Sequence, residues 1–415
     1  MMRKFRVSLK VFREEGILNF TALIFEFIAK YLRLVSKNTS KSSHVGGSIH
    51  TNVRYEDALR ADFHQPIRPW KGSNKQSLTF NWIMPPPGKG SGGHLNIFRF
   101  IHYLETNGHT CRIYIYSQKG KSKISDIKAI MGDSYHSVNA EMEWLDEDEH
   151  MAEADGIFAT SWETAYAAYN SKLDAKRFYF VQDFEPYFYP VGGLYTLAEN
   201  SYKFGFYGVT AGGWLAKKLR ADYGMSTDYY SFGADENIYS FTNSGKRKEI
   251  LFYARPYTER RGFEIGVMAL DLFHRKHPDY TINMVGYDVS NYDIPFQYNN
   301  LKTLEISELN ELYNRCAAGL VLSFTNMSLL PLELLAGGTI PVVNDGDNNR
   351  LVSDSEYIAY SPADPISLAN KLSEIVTKPD LAAYAHLASK SIKQSSWDES
   401  GEKFVSIVER ETRKK

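Results

Sequence analysis

Cysteine is nearly absent from this chain, with only Cys111 and Cys316 in 415 residues. Each falls inside a predicted regular element, so neither a disulfide framework nor a zinc site is expected, and a reducing compartment fits. Long hydrophobic runs are missing too. No stretch reaches the ~18 uncharged apolar residues of a spanning helix, and no signal-peptide cleavage pattern follows the first apolar run. Nor does one sign of charge prevail: the formal net charge is -1, which speaks against a large nucleic-acid-binding surface. Asp345-Gly-Asp347 is an acidic pair without zinc or calcium spacing, so no structural metal is expected.

What is present suits a packed globular protein. Hydrophobic residues make up 43% and aromatics 14%, enough for about two domains, each with its own core. The 28 Tyr and 24 Phe fill cores and interfaces, or line a groove that stacks on sugars and bases.

Four segments are expected: a partly helical extension over 1–75, domains over 76–235 and 236–390, and a closing helix over 391–415. In the extension, Phe20, Leu23, Ile24, Phe27, Ile28, Tyr31 and Leu32 repeat at helical spacing among an excess of Lys and Arg. Such a helix either packs on its own protein or lies on an anionic membrane through residues 17–35. From 78 onward the grammar changes. Strands are predicted over 78–84, 110–116, 156–159, 177–181, 204–209 and 229–232, then over 249–253, 281–285, 319–323 and 339–343. Helices fall between them, including 94–107, 263–274, 306–315 and 331–336. This alternation predicts α/β structure, two parallel sheets covered on both faces, with a ligand cleft where the strand ends of both meet.

Candidate site residues lie at those strand ends. Glu333 sits in the first turn of a helix that starts near Pro331 and stops at Gly337-Gly338. The unpaired N–H groups of such a start, around Ser328, Leu329 and Leu330, suit a phosphate, and the carboxylate suits a sugar hydroxyl; simple dipole capping is the plainer alternative. In Gly88-Lys-Gly-Ser-Gly92-Gly93 the missing Cβ atoms let backbone approach a ligand, or the loop is only a tight turn. Arg255 follows a strand, and Arg260-Arg261-Gly262 opens the next helix. Guanidinium groups there would neutralise charge on a departing diphosphate, or form a solvated cluster with Glu259. Lys302 is a further cation of this kind. Asp183 and Glu185, after the strand ending at Val181, bind hydroxyls, serve as a base, or cap the turn. Thr160-Ser-Trp-Glu163 reads as a capping box and 146–149 as a solvated acidic surface.

Taken together, these residues resemble the GT-B glycosyltransferases, two Rossmann-like domains facing across a cleft, and specifically their retaining family four, over about 78–408. Arg255-Pro through Glu259-Arg-Arg261-Gly262 is similar to that family's Gly-Arg … Glu-Lys-Gly element, with Arg261 in place of lysine. Gly286 ends the next strand, as members often have it. Glu333 matches the second glutamate of the family's pair, which binds the nucleotide ribose, while Thr325 replaces the first. Gly92-Gly93-His94 resembles the glycine loop beside the donor phosphates and acceptor. Val209–Leu215, Ser231–Asp235 and Ser396-Trp397-Asp398 resemble the helix-opening segment, the hinge and the start of the closing helix. Gln182-Asp183 stands where members carry a histidine that often contacts a sugar 6-hydroxyl.

The resemblance implies transfer of a hexosyl unit from a nucleoside diphosphate sugar to a hydroxyl of a growing bacterial glycan, lipid-linked in one version, with no further cofactor. Together with Thr325, the missing histidine is compatible with a 6-deoxy donor. The overall likeness is to a rhamnosyltransferase of surface-layer glycan assembly using dTDP-L-rhamnose. It further implies a cytoplasmic enzyme, peripheral on the inner membrane face in one version. Glu333 would hold the ribose, and Arg255, Arg261 and Lys302 the leaving diphosphate. With retention, the leaving phosphate oxygen takes the acceptor proton; with inversion, Asp183 is the first candidate base. An epimerase on the same fold and a non-catalytic glycan-binding scaffold are the rival expectations.

Overall fold

The computed structural model describes residues 52–88, 91–118, 122–132, 135–235, 238–353, 355–392 and 396–414. The basic helix expected over 17–35, and Lys89 and Gly90 of the glycine loop, lie outside these residues.

Two parallel sheets organise the described chain. The first holds β1 (Thr79–Met84), β2 (Thr110–Ile115), β3 (Glu141–Trp144), β4 (Gly156–Ala159), β5 (Lys176–Val181), β6 (Tyr207–Ala211) and β7 (Thr227–Tyr230), in the order β3-β2-β1-β4-β5-β6-β7. The second holds β8 (Glu249–Tyr253), β9 (Thr281–Val285), β10 (Asn299–Lys302), β11 (Cys316–Val321), β12 (Ile340–Asn344) and β13 (Ala359–Ser361), in the order β10-β9-β8-β11-β12-β13. The central strands are buried on both faces, which their near-continuous apolar runs require. The strand order reverses between β1 and β4 and again between β8 and β11. Crevices open at such switch points, beyond the carboxyl ends of the strands.

Several strand limits differ from the sequence expectation. The strand predicted over 319–323 ends at Val321, because the Ser323 N–H is spent on Asn344 Oδ1 at 2.7 Å. The one predicted over 204–209 begins at Tyr207, and the one over 229–232 runs Thr227–Tyr230. The edge strands β3 and β13 were not expected. Each is short, and β3 (Glu141-Met-Glu-Trp144) buries neither face fully, so it carries little apolar signal.

The helix Trp397–Arg413 completes the first sheet's core. Phe404 is fully buried, with its ring centroid 4.6 Å from Phe100 and 5.9 Å from both Phe158 and Phe180. Trp82 stacks on Phe158 at 4.1 Å beside it. Gly401 lets the helix lie close, since a Cβ there would meet the Tyr103 ring at 2.5 Å. The helix start is fixed by Tyr103 Oη donating to Asp398 (2.8 Å), and its end by Trp70 Nε1 donating to the Thr412 carbonyl (2.7 Å). Phe404→Ala should therefore lower stability in urea unfolding by about 3–5 kcal/mol, and a loss below about 1 kcal/mol would remove this helix from the core.

Candidate functional site

The loop leaving β11 forms the floor of the candidate site. A ring of asparagines holds it. Asn344 Nδ2 (2.8 Å), Asn348 Nδ2 (2.9 Å) and Asn349 Nδ2 (3.1 Å) all donate to the Ser323 carbonyl. Ser323 Oγ donates to the Asn326 carbonyl (2.8 Å) and accepts from Arg261 Nη1 (2.8 Å). The loop then runs into the helix Leu330–Ala336, with Pro331 in its first turn. Among the described residues, the N–H groups of Ser328, Leu329 and Leu330 find no acceptor, and Ser328 Oγ is buried without a partner. Unpaired amides at a helix start carry partial positive charge.

Two arginines border this floor. Arg255 follows β8, and its Nη1 donates to the Gly286 carbonyl (2.8 Å) at the end of β9. Gly286 has φ +110 and a Cβ would sit 2.9 Å from the Tyr253 ring, so glycine is required there. Arg261 closes a short 3₁₀ turn, Glu259–Arg261, and burial pushes its guanidinium pKa down, opposed by the charge of Asp183. Lys302 does not join them through its side chain. It pairs with Asp288 at 3.1 Å and stays exposed at the sheet edge, while its carbonyl accepts from the Gly286 N–H.

Glu333 lies at the far end of the floor, where the hydroxyls of Tyr313 and Tyr239 help to hold its carboxyl pKa down. The two rings stack at 5.5 Å. Burial pushes the carboxyl up to about 7, countered by the tyrosines and by the charge of Arg99, while Asp235 adds to the rise.

From the first sheet, Asp183 meets the same loop. Its Oδ1 accepts from the Asn326 N–H (2.9 Å), and its Oδ2 accepts from Thr325 Oγ1 (3.0 Å) with Arg260 Nε 3.5 Å away. Asn326 Nδ2 donates to the carbonyls of Gln182 (3.1 Å) and Ala211 (2.8 Å). Thus Thr325, whose counterpart glutamate faces sugar in the resembled family, here ties the two sheets' loops together. Gln182 Nε2 donates to the Gly93 carbonyl (3.0 Å) and its Oε1 accepts from Asn96 (3.3 Å).

Gly92 and Gly93 begin the helix Gly92–Thr106 after β1, and no atom lies within 4 Å of where a Cβ on Gly92 would stand. His94 beside them donates from Nε2 to the Pro85 carbonyl (3.1 Å) and accepts at Nδ1 from Ser91 Oγ (2.9 Å). Burial lowers its pKa, which keeps the ring neutral.

Glu185 is no part of this floor. Its carboxylate accepts from the Trp162 N–H and Tyr179 Oη, and burial with nearby Glu163 raises its pKa well above the usual range. The expected capping box at 160–163 is displaced by one residue: Ser161 caps and Thr164, not Glu163, reaches back. Asp345 pairs with Arg350, and Asp347 with Lys217 at 3.2 Å. Among the described residues no group of three or more His, Cys, Asp or Glu gathers as a metal site, and no helix is long and apolar enough to cross a membrane.

Sequence reasoning missed Asn326, the asparagine ring, Tyr239, Tyr313 and Arg99. Only Arg99 carried a signal, a lone cation inside Ile97-Phe-Arg-Phe-Ile101.

Residues 248–373 match the family model of the WsaF C-terminal domain. The O-antigen biosynthesis protein RfbC of Myxococcus xanthus is 28% identical over 331 residues, 77% of this chain. The chain spans only 26% of that protein's length. Among solved structures, TarM aligns with TM-score 0.62 at 8% identity, over 79% of this chain and 98% of its own. Anabaena HepE, solved with UDP, aligns with TM-score 0.58 at 14% identity, over 80% and 99%. WaaG, a glycosyltransferase involved in lipopolysaccharide biosynthesis, aligns with TM-score 0.53 at 11% identity, over 79% and 99%. The chain is thus WsaF-like over its second sheet and carries, through both sheets, the GT-B fold of the glycosyltransferases.

Proposed function

We propose that this chain is a glycosyltransferase that moves a hexosyl unit, L-rhamnosyl from dTDP-L-rhamnose, onto a hydroxyl of a growing bacterial surface glycan. One observation carries the reading: Arg261, half-buried and held on Ser323, borders the same loop that offers the unpaired amides of Ser328–Leu330 and leads to Glu333. In the reaction the acceptor oxygen bonds to the anomeric carbon while the bond to the diphosphate breaks, and the electron pair stays on the phosphate oxygen. Arg255, Arg261 and the amides stabilise that charge, which counts most where water is excluded. Glu333 accepts from a ribose hydroxyl. With retention, the departing phosphate oxygen takes the acceptor proton. Lys302, turned to Asp288, would have to change partner to reach the diphosphate.

The donor assignment rests on Thr325 and Gln182. Their polar groups are already paired, with Asp183 and with Gly93 and Asn96, so they offer a hexose 6-hydroxyl neither carboxylate nor imidazole. The resemblance to WsaF and to an O-antigen biosynthesis protein supports a bacterial glycan as acceptor. The two free, buried cysteines suit a cytoplasmic setting.

Acceptor-dependent release of nucleoside diphosphate tests this directly. With dTDP-L-rhamnose, kcat/KM should exceed that for UDP-glucose by about 10-fold or more, the scale at which one substrate group is discriminated. Conversion of donor without acceptor would instead make the chain an epimerase. Tight glycan binding without turnover of any nucleotide sugar would make it a scaffold.

A further inference from the structure

Two buried carboxylates share one nitrogen atom where the chain from Asn52 to Arg60 crosses the first sheet. Arg60 Nη2 donates to Asp57 Oδ1 at 2.8 Å and to Glu149 Oε1 at 2.6 Å. Asp57 is 1% exposed and Glu149 2%, while the Arg60 side chain is 39% exposed. Asp57 Oδ2 accepts from Tyr116 Oη (2.7 Å), just beyond β2, and Tyr116 Oη accepts from the Arg54 N–H (2.7 Å). The Arg54 guanidinium lies over the Tyr116 ring at 4.5 Å and donates to the carbonyls of Leu145 (2.8 Å) and Asp146 (2.6 Å), just beyond β3. Asn170 Nδ2, at the end of the helix Trp162–Asn170, donates to the Asp57 carbonyl (3.0 Å). The short helix Tyr55–Arg60 is thereby strapped across the carboxyl ends of β2 and β3.

Neither charges nor donors balance in this strap. Two acids face one guanidinium, and Arg54 spends its donors on the carbonyls of Ser117, Leu145 and Asp146 rather than on either acid. Arg60 Nη2 also reaches the Glu147 carbonyl at 3.2 Å, so its two N–H groups serve three acceptors. Among the described residues, Glu149 Oε2 is buried and finds no donor. An unpartnered carboxylate oxygen out of water is costly, and like charges held close resist joint ionisation. One added proton answers both, since it turns one acid into a donor toward the other and leaves one carboxylate for one guanidinium. Glu149 also has φ +53, a left-handed backbone that a non-glycine residue keeps only where its surroundings hold it. The remaining charges on these elements do not intrude: Asp146 and His150 pair with each other at 2.8 Å, and Glu56, Glu147 and Asp148 are exposed. We propose that residues 52–60 form a strap whose docking on the first sheet depends on one proton shared between Glu149 and Asp57, so that the strap loosens when that proton leaves.

Burial, with Asp57 alongside, pushes the Glu149 carboxyl up to about 8, against the pull of Arg60. Its pKa is therefore higher with the strap docked than undocked. The share of docking it supplies is complete below about 4.5 and is lost as pH rises to about 8. Hydrogen exchange of the full chain tests the proposal, read as protection factors so that the base catalysis of exchange itself cancels. The Ala58 amide, which bonds the Arg54 carbonyl, reports the strap. From pH 6 to 9 its protection should fall about 10-fold or more and then level off, while amides of the central strand β4 keep theirs.

Glu149→Gln distinguishes a shared proton from a plain ion pair. Glutamine accepts from Arg60 and donates to Asp57 at every pH. Its Ala58 protection should stay flat from pH 6 to 9 and exceed that of the unaltered protein about 10-fold at pH 9. A plain Arg60–Glu149 ion pair predicts the reverse, a glutamine variant less protected than the unaltered protein at pH 8 and above, and that result would overturn the proposal. Flat protection from pH 6 to 9 in the unaltered protein would overturn it as well. Should Glu149→Gln not fold, Asp57→Asn takes its place. With one acid gone the other keeps Arg60 to itself, and the fall in protection should vanish. A fall of unchanged size and midpoint in that variant counts against the shared proton.

Discussion

Replacing Arg261 by methionine is expected to lower kcat about 100- to 1,000-fold, the loss seen when one preorganised stabiliser of developing charge is removed. Folded stability should change little. The side chain is half-buried and makes one side-chain hydrogen bond, to Ser323 Oγ, and its desolvation already works against its charge. A methionine fills the same stem volume without that penalty. The neighbouring Arg260 is not equivalent, because its guanidinium lies over Phe188 at 4.0 Å and faces Asp183 rather than the floor loop. Arg261→Lys should fall between the two, since it keeps the charge and loses the fork that bonds Ser323. Steady-state kinetics with saturating donor, set beside thermal melts, decide the matter. Turnover of the methionine variant within about threefold of the original would take Arg261 out of charge stabilisation.

The fold was legible where sequence and burial coincide. Runs such as Thr79-Phe-Asn-Trp-Ile-Met84 and Cys316-Ala-Ala-Gly-Leu-Val321 are buried on both faces and announce themselves as central parallel strands. Edge strands do not, because one side of their ladder faces solvent and apolar residues are not demanded. The position of Arg255, Arg261 and Glu333 followed from strand-end logic alone, since each stands just beyond a strand or in the helix after one. What could not be read was the pairing across the crevice. Nothing in Gln182-Asp183 or Thr325-Asn326 says that one dipeptide will bond the other, for they lie more than a hundred residues apart and polar loop residues have many acceptable partners. The asparagine ring at Asn344, Asn348 and Asn349 is illegible for the same reason. Arg99 is the instructive case. Its place inside an apolar helical face marked it as a cation that must be buried, and only the structure supplies the indole and carboxylates around it.

Asp183 separates two chemistries that the sequence left open. As a general base it would need a free carboxylate oxygen facing the acceptor hydroxyl. In the structure both oxygens are engaged, Oδ1 by the Asn326 and Phe184 N–H groups and Oδ2 by Thr325, with Arg260 alongside. The carboxylate is therefore placed to clasp the β11 loop against the end of β5. Asparagine at 183 can preserve that clasp: its Oδ1 still accepts from Asn326 N–H, and its amide can donate to Thr325 Oγ1. Alanine removes it and leaves the Asn326 amide without its acceptor. Asp183→Ala is accordingly expected to lose about 100-fold in kcat/KM through misplacement of the floor loop, while Asp183→Asn stays within about fivefold. A base predicts otherwise, since neither variant can take a proton and both should fall together. Measuring both variants across pH 6 to 9 settles which holds, and equal collapse of the two would return Asp183 to the reacting hydroxyl.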